Sequence, residues 1–246
     1  MTSRGPRVIV ALDYATVDEA RHFVAQVSPS RCRLKVGLEL YTASGPDFVR
    51  QLVQAGFGVF LDLKLHDIPN TVEQACRQAT RLGVELLTVH CLGGRAMLAA
   101  ARRGAVERDH PDAGGNDGSR QVRTKVIGVT LLTSLAGADL EEIGLSGSVG
   151  ERALMLAELA QASGLDGIVC APTEAEAMRR RFGPDFLLVT PGVRPAGISA
   201  QDQQRVLTPR EAMACGADLL VIGRPITRAE NPRAALDRIC DEIADG

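Results

Sequence analysis

Phe60-Leu61-Asp62-Leu63-Lys64-Leu65-His66-Asp67-Ile68-Pro69-Asn70-Thr71 begins as an apolar run and ends as a helix start. Successive side chains of a strand point to opposite faces. Asp62 and Lys64 therefore share one face, and Leu61, Leu63 and Leu65 the other. A carboxylate and an ammonium inside a hydrophobic strand are costly to desolvate. Asp67 adds a third charge just past the expected strand end. Either this is an edge strand with a wet face, or the charges line a site.

The flanking chain decides between these. Seven more strand-like runs occur: Val8 to Asp13, Arg33 to Leu40, Glu85 to Cys91, Lys125 to Leu132, Gly167 to Pro172, Phe186 to Gly192 and Asp218 to Gly223. Helical stretches alternate with them. Capping-box patterns are expected to open helices at Thr16–Glu19 and Thr173–Glu176, Thr208-Pro209-Arg210-Glu211 is expected to start another, and Asn70 is expected to cap the helix after the third strand. Gly45-Pro46 is expected to precede another helix, and Asn231-Pro232 opens the last. The runs are apolar on both faces, as buried parallel strands are. Alternation without a composition break over residues 1–246 predicts one (β/α)8 barrel domain. An open doubly wound sheet is the runner-up, but no GxGxxG follows the first strand. The polar run at 110–124 reads as an exposed loop, and the Gly/Ser/Gln-rich stretch at 194–205 as a lid.

Composition excludes several function classes. The formal net charge is −2 and aromatic residues make up 3%, so neither a basic face nor stacking platforms for nucleic acid are expected. The opening MTSRGPRVIVALD lacks a signal-peptide pattern, and no apolar run approaches membrane-spanning length. Six cysteines without CxxC spacing read as small buried hydrophobes in a reducing compartment. The expectation is a cytoplasmic protein. Only three lysines, Lys35, Lys64 and Lys125, stand against twenty-five arginines. Lysine can release a proton and arginine effectively cannot, so Lys35 and Lys64 read as positions that need an ammonium. Lys125 reads as a flank.

Barrel enzymes carry their sites at the carboxyl ends of the strands. Asp13, Lys35, Asp62, Lys64, His90, Thr133, Pro191 and Gly223 fall at or near such ends. The bland reading of Asp62 and Lys64 is a buried ion pair that fills the interior. Thr190-Pro191-Gly192-Val193-Arg194 and Ile222-Gly223-Arg224 offer two adjacent glycine-bearing ends suited to phosphate. His66 and His90 lack metal-ligand spacing and read as packed histidines, and no metal site is expected.

With these motifs in place, the sequence resembles the orotidine 5′-phosphate decarboxylase family. The resemblance is carried by Ala11-Leu12-Asp13, Lys35-Val36-Gly37, Asp62 to Thr71, Thr130 to Ser134, Thr190 to Pro195, Asp202-Gln203 and Ile222 to Thr227, in the family's order. It implies a cofactor-free lyase that converts orotidine 5′-phosphate to uridine 5′-phosphate. Lys64 would be the proton donor in a network with Lys35, Asp62 and Asp67. Asp67 and Thr71 would reach the partner's site in a homodimer. Asp13 and Lys35 would hold ribose, and Thr133 and Ser134 would meet the base. Pro191, Arg194, Gln203, Gly223 and Arg224 would surround the phosphate. Two other readings stay open. One is a magnesium-dependent sugar-phosphate decarboxylase or aldolase with a similar Asp-x-Lys-x-x-Asp array. The other is a non-catalytic nucleotide-binding barrel. The Ile68 to Thr71 continuation and Asp202-Gln203 argue against the former, and the intact lysine–aspartate set against the latter.

Overall fold

A computed structural model describes residues 5–106, 123–195 and 207–244. Eight parallel strands close in sequence order, the first pairing with the last. They are β1 (Val8–Ala11), β2 (Arg33–Gly37), β3 (Val59–Leu65), β4 (Leu86–His90), β5 (Lys125–Val129), β6 (Gly167–Val169), β7 (Leu187–Pro191) and β8 (Leu219–Ile222). Between and after them run α1 (Val17–Val24), α2 (Leu38–Gln54), α3 (Pro69–Arg81), α4 (Gly94–Val106), α5 (Gly137–Glu142), α6 (Val149–Ala162), α7 (Ala175–Phe182), α8 (Pro209–Ala214), α9 (Arg224–Thr227) and α10 (Pro232–Ala244). The closed (β/α)8 barrel expected from the alternation is therefore present, and the edge-strand reading of residues 60–65 falls away because closure removes edges. No described helix is long and apolar enough to cross a membrane.

Two apolar layers follow from strand alternation. Ile9, Phe60, Leu86, Ile127, Val189 and Val221 form one cluster, the barrel interior. Their outward neighbours Val10, Leu34, Leu61, Leu87, Ile168 and Leu220 pack beneath the helices in a larger cluster. Each fully buried aliphatic side chain contributes about 1.5–3 kcal/mol relative to exposure. The interior stays apolar only to the level of Phe60. One step further toward the carboxyl end of β3 comes Asp62.

Local details differ from the sequence expectations. The strands are mostly shorter at their carboxyl ends, where the chain turns into site-forming loops. The second strand stops at Gly37, and Leu38 already begins α2. Gly45 breaks that helix at φ 62°, a left-handed conformation that glycine adopts without penalty, and Pro46 restarts it. At α3 the first helical residue is Pro69 and Ile68 is the cap position, so Asn70 is not the cap. Proline presets the helical φ and has no N–H to orphan there. The Thr16 capping box forms, and the helix expected to start at Thr208 does so with a capping box of its own. The Thr173–Glu176 box does not. Pro172–Glu174 is a short 3-10 turn, and the Glu174 carboxylate accepts from the Ala171 N–H instead. Thr124, expected in the exposed polar loop, is buried and donates to the Val84 carbonyl at 2.7 Å. The rest of that loop up to residue 122, and positions 196–205 of the expected lid, lie outside the described residues.

Close packing places α3, which carries the end of the opening motif. Gly104 of α4 lies against α3, and an added Cβ would collide with the Glu73 carbonyl. The Glu73 carboxylate also pairs with Arg103 of α4 and Arg77 of α3.

Candidate active site

Three adjacent strands bring four charged side chains into one chain of contacts. Lys35 Nζ, from β2, donates to Asp13 Oδ1 at 3.3 Å and lies 3.6 Å from Asp62 Oδ2. Lys64 Nζ donates to Asp62 Oδ1 at 2.9 Å. Side-chain exposure is 12% for Lys35 and 13% for Asp62 but 59% for Asp13 and 32% for Lys64, so the array is desolvated at its centre and open at both ends. Two cations and two anions alternate, which offsets the cost of removing each from water. A small cleft opens on them, lined also by Gly37, Leu38 and Glu39.

Simple alternation does not deliver this geometry. Leu61 pairs with Leu87 and Leu65 with Val89, so three residues of β3 stand against the single Thr88 of β4. Within this bulge Lys64 has φ 50°, the only non-glycine positive φ among the described residues. A left-handed backbone costs a residue with a Cβ roughly 1–2 kcal/mol. Bulges re-aim side chains beside functional sites. Here the bulge sets Lys64 against Asp62. Thr88 answers it: its Oγ1 accepts from the Lys64 N–H at 2.8 Å and donates to Asp62 Oδ1 at 3.0 Å. Thr88 is not among the residues singled out from the sequence; its one signal there is a hydroxyl within the apolar run Leu86 to Val89.

His66 and His90 stack on each other with ring centroids 5.5 Å apart. His90 is partly buried and His66 exposed. Burial lowers the His90 pKa from its ordinary value, with His66 and Lys64 adding to the effect. Among the described residues, no group of three or more His, Cys, Asp or Glu side chains is arranged to hold a metal ion. Burial pushes the Cys91 thiol, just beyond His90, up to about 12, so it is no nucleophile at neutral pH.

The other expected residues divide into groups. Asp67 is exposed, its Oδ1 accepting from the Ile68 N–H at 2.6 Å, and no ion pair among the described residues joins it to Lys35 or Lys64. Thr71 is exposed on the first turn of α3, and Thr133 and Ser134 are exposed in the turn after β5. Pro191 ends β7, and Gly192 follows at φ 79°. Arg194 is buried, and its N–H donates to the Leu207 carbonyl at 3.0 Å. Gly223 caps α9, on which Arg224 is the first residue. Gln203 lies outside the described residues. Tyr14, next to Asp13, donates to the Thr227 carbonyl at 3.3 Å and so ties the β1 loop to α9.

Alternating ammonium and carboxylate groups, held at the carboxyl mouth of a closed barrel and backed by an apolar interior, make this a (β/α)8-barrel enzyme whose site is electrostatically preorganised. A family model described as Orotidine 5′-phosphate decarboxylase / HUMPS family matches residues 6–239, and the chain belongs to that family. It is 54% identical over 239 residues to the orotidine 5′-phosphate decarboxylase of Halorhodospira halophila, covering 97% of this chain and 96% of that one. Identity to the enzyme of the same name from Nitrosococcus oceani is 51%, covering 97% and 98%. Among solved structures, orotidine 5′-phosphate decarboxylase from Lactobacillus acidophilus superposes with a TM-score of 0.84 at 37% identity, covering 98% of this chain and 99% of that one.

Proposed function

We propose that this chain decarboxylates orotidine 5′-phosphate to uridine 5′-phosphate, with Lys64 as the proton donor to C6. The observation that carries the reading is the continuous array Asp13–Lys35–Asp62–Lys64, closed by contacts of 3.3, 3.6 and 2.9 Å. Loss of CO2 from C6 of the pyrimidine leaves an electron pair in the ring plane, where the ring π-system cannot take it up. That charge must be met by fixed groups of the protein, which need no reorganisation when it appears. The Lys64 ammonium ends the array on the β3 side, with N–H donors left for a ligand. It stabilises the developing carbanion and then transfers its proton to C6. Asp62, beside it, faces the departing carboxylate.

The remaining roles follow the strand ends. Asp13 and Lys35 hold the ribose hydroxyls. Thr133 and Ser134 meet the base. Pro191, Arg194, Gln203, Gly223 and Arg224 surround the phosphate, at the two adjacent strand ends where barrels commonly bind it. Phosphate binding far from C6 supplies binding energy that positions the reacting carbon against Lys64. Asp67 and Thr71 serve the site of a second copy in a homodimer. Three observations support this: Asp67 stands apart from its own chain's array, and Ile68 and Leu38 beside the mouth are 67% and 57% exposed. Free, mostly buried cysteines fit a cytoplasmic setting.

Purified protein in EDTA should convert orotidine 5′-phosphate to uridine 5′-phosphate with release of CO2. Lys64→Ala should keep its circular dichroism spectrum and lose turnover by more than about a thousandfold. Robust activity in that variant overturns the role of Lys64, and activity that vanishes in EDTA favours the magnesium-dependent alternative.

A further inference from the structure

Resting on the functional reading above, we propose that Thr88 is a positioning residue. Its hydroxyl sets the Lys64 ammonium and the Asp62 carboxylate in reacting register. The bulge leaves Lys64 without an ordinary ladder partner on β4 for its N–H. Thr88 Oγ1 takes that place at 2.8 Å. A backbone N–H only donates, so the hydroxyl oxygen must accept there. The single hydroxyl hydrogen is then committed to the other neighbour, Asp62 Oδ1, at 3.0 Å. The same carboxylate oxygen receives Lys64 Nζ at 2.9 Å. One hydroxyl thus fixes the main chain of the proton donor and the side chain of its counter-ion in a closed three-membered network.

Thr88 is fully buried and does not line the cleft. It acts through its two neighbours. Without the hydroxyl, the Lys64 N–H is orphaned beside a left-handed backbone, and Asp62 keeps its lysine contacts but loses the donor on β4 that ties its carboxylate to the barrel. The ammonium remains present but is no longer held over the reacting carbon. Small misplacements of catalytic groups cost far more in rate than in ground-state binding. The expected signature is a fall in kcat with little change in KM.

The test compares Thr88→Val, which keeps the shape and removes the hydroxyl, with Thr88→Ser, which keeps the hydroxyl. Turnover is expressed per folded molecule, counted by titration with uridine 5′-phosphate. Thr88→Val should lose about a hundredfold in kcat, with KM and uridine 5′-phosphate affinity near those of the unaltered chain. Thr88→Ser should restore kcat to within a few-fold. If the valine variant does not fold, Thr88→Ala carries the same expectation. Unchanged kcat in the hydroxyl-free variant overturns the proposal, as does equal loss in the serine variant. An unaltered chain that fails to decarboxylate orotidine 5′-phosphate overturns the functional reading instead, so the two failures are distinct.

Discussion

At the amino-terminal floor of the barrel, Arg179 donates to the carbonyl oxygens of Gly183, Phe186 and Gly216 and to the Asp218 carboxylate. At the carboxyl mouth, Lys64 Nζ has Asp62 as its single partner among the described residues. The contrast repeats around the ring. Arg33 forks onto both oxygens of Glu85 at 2.7 and 2.8 Å. Arg123 pairs with Asp166, whose other oxygen accepts from the Val126 N–H. Asp218 likewise accepts from the Leu188 N–H. Floor charges such as Arg33 and Arg179 make several hydrogen bonds each, suited to locking strands together. The cations of the four-charge array at the mouth are ammonium groups, and Lys64 Nζ keeps N–H donors for a ligand. In a chain with only three lysines two of them stand in this candidate site, whereas the arginines at the mouth, Arg194 and Arg224, lie at the β7 and β8 ends.

Exchanging the chemistry between the ends is the sharpest way to break this comparison. Lys64→Arg keeps the positive charge at the mouth but removes the proton that can be transferred. Turnover of orotidine 5′-phosphate should fall by more than about a thousandfold, while the urea midpoint stays near that of the unaltered chain. An active arginine variant would show that charge alone suffices. At the floor the effect should be reversed. Asp218→Ala strands the Arg179 guanidinium and the Leu188 N–H, and should cost about 3 kcal/mol in urea unfolding. Its kcat per folded molecule should be unchanged, and a large loss there would mean that the floor shapes the mouth.

The smallest effect concerns His90, which ends β4 at the mouth. Its pKa is lowered in the folded chain from an ordinary 6.5, chiefly by burial. As pH drops below about 6.5, the unfolded chain binds a proton at this histidine before the folded chain does. Stability should therefore fall as the pH drops from there toward the folded pKa, and this contribution should be flat above it. His90→Asn should remove that part of the slope in denaturation curves measured between pH 5 and pH 8. An unchanged slope would place the linkage elsewhere.

The barrel was legible in the sequence because buried parallel strands are continuously apolar and the helix signals between them are local. Asp13, Lys35, Asp62 and Lys64 were legible for a related reason: charges inside apolar runs conflict with burial unless they meet a partner or a ligand. Less legible were features that depend on two strands at once. The bulge that aims Lys64 is a mismatch in count between β3 and β4, and neither strand carries it alone. Thr88 looked like an ordinary β-branched residue because its partners are 24 and 26 positions away. The α3 start was misplaced by one local signal outranking another, with Pro69 at the first helical position displacing Asn70 as the cap.

The left-handed backbone of Lys64 has a consequence for any attempt to improve this protein. A search that rewards stability alone would put glycine or asparagine at position 64, recovering about 1 kcal/mol of backbone strain. Such a chain would relax its backbone but take from Asp62 the ammonium at 2.9 Å, the group proposed above as the proton donor. Ranking variants by backbone comfort alone would therefore steer away from the proposed activity at this position.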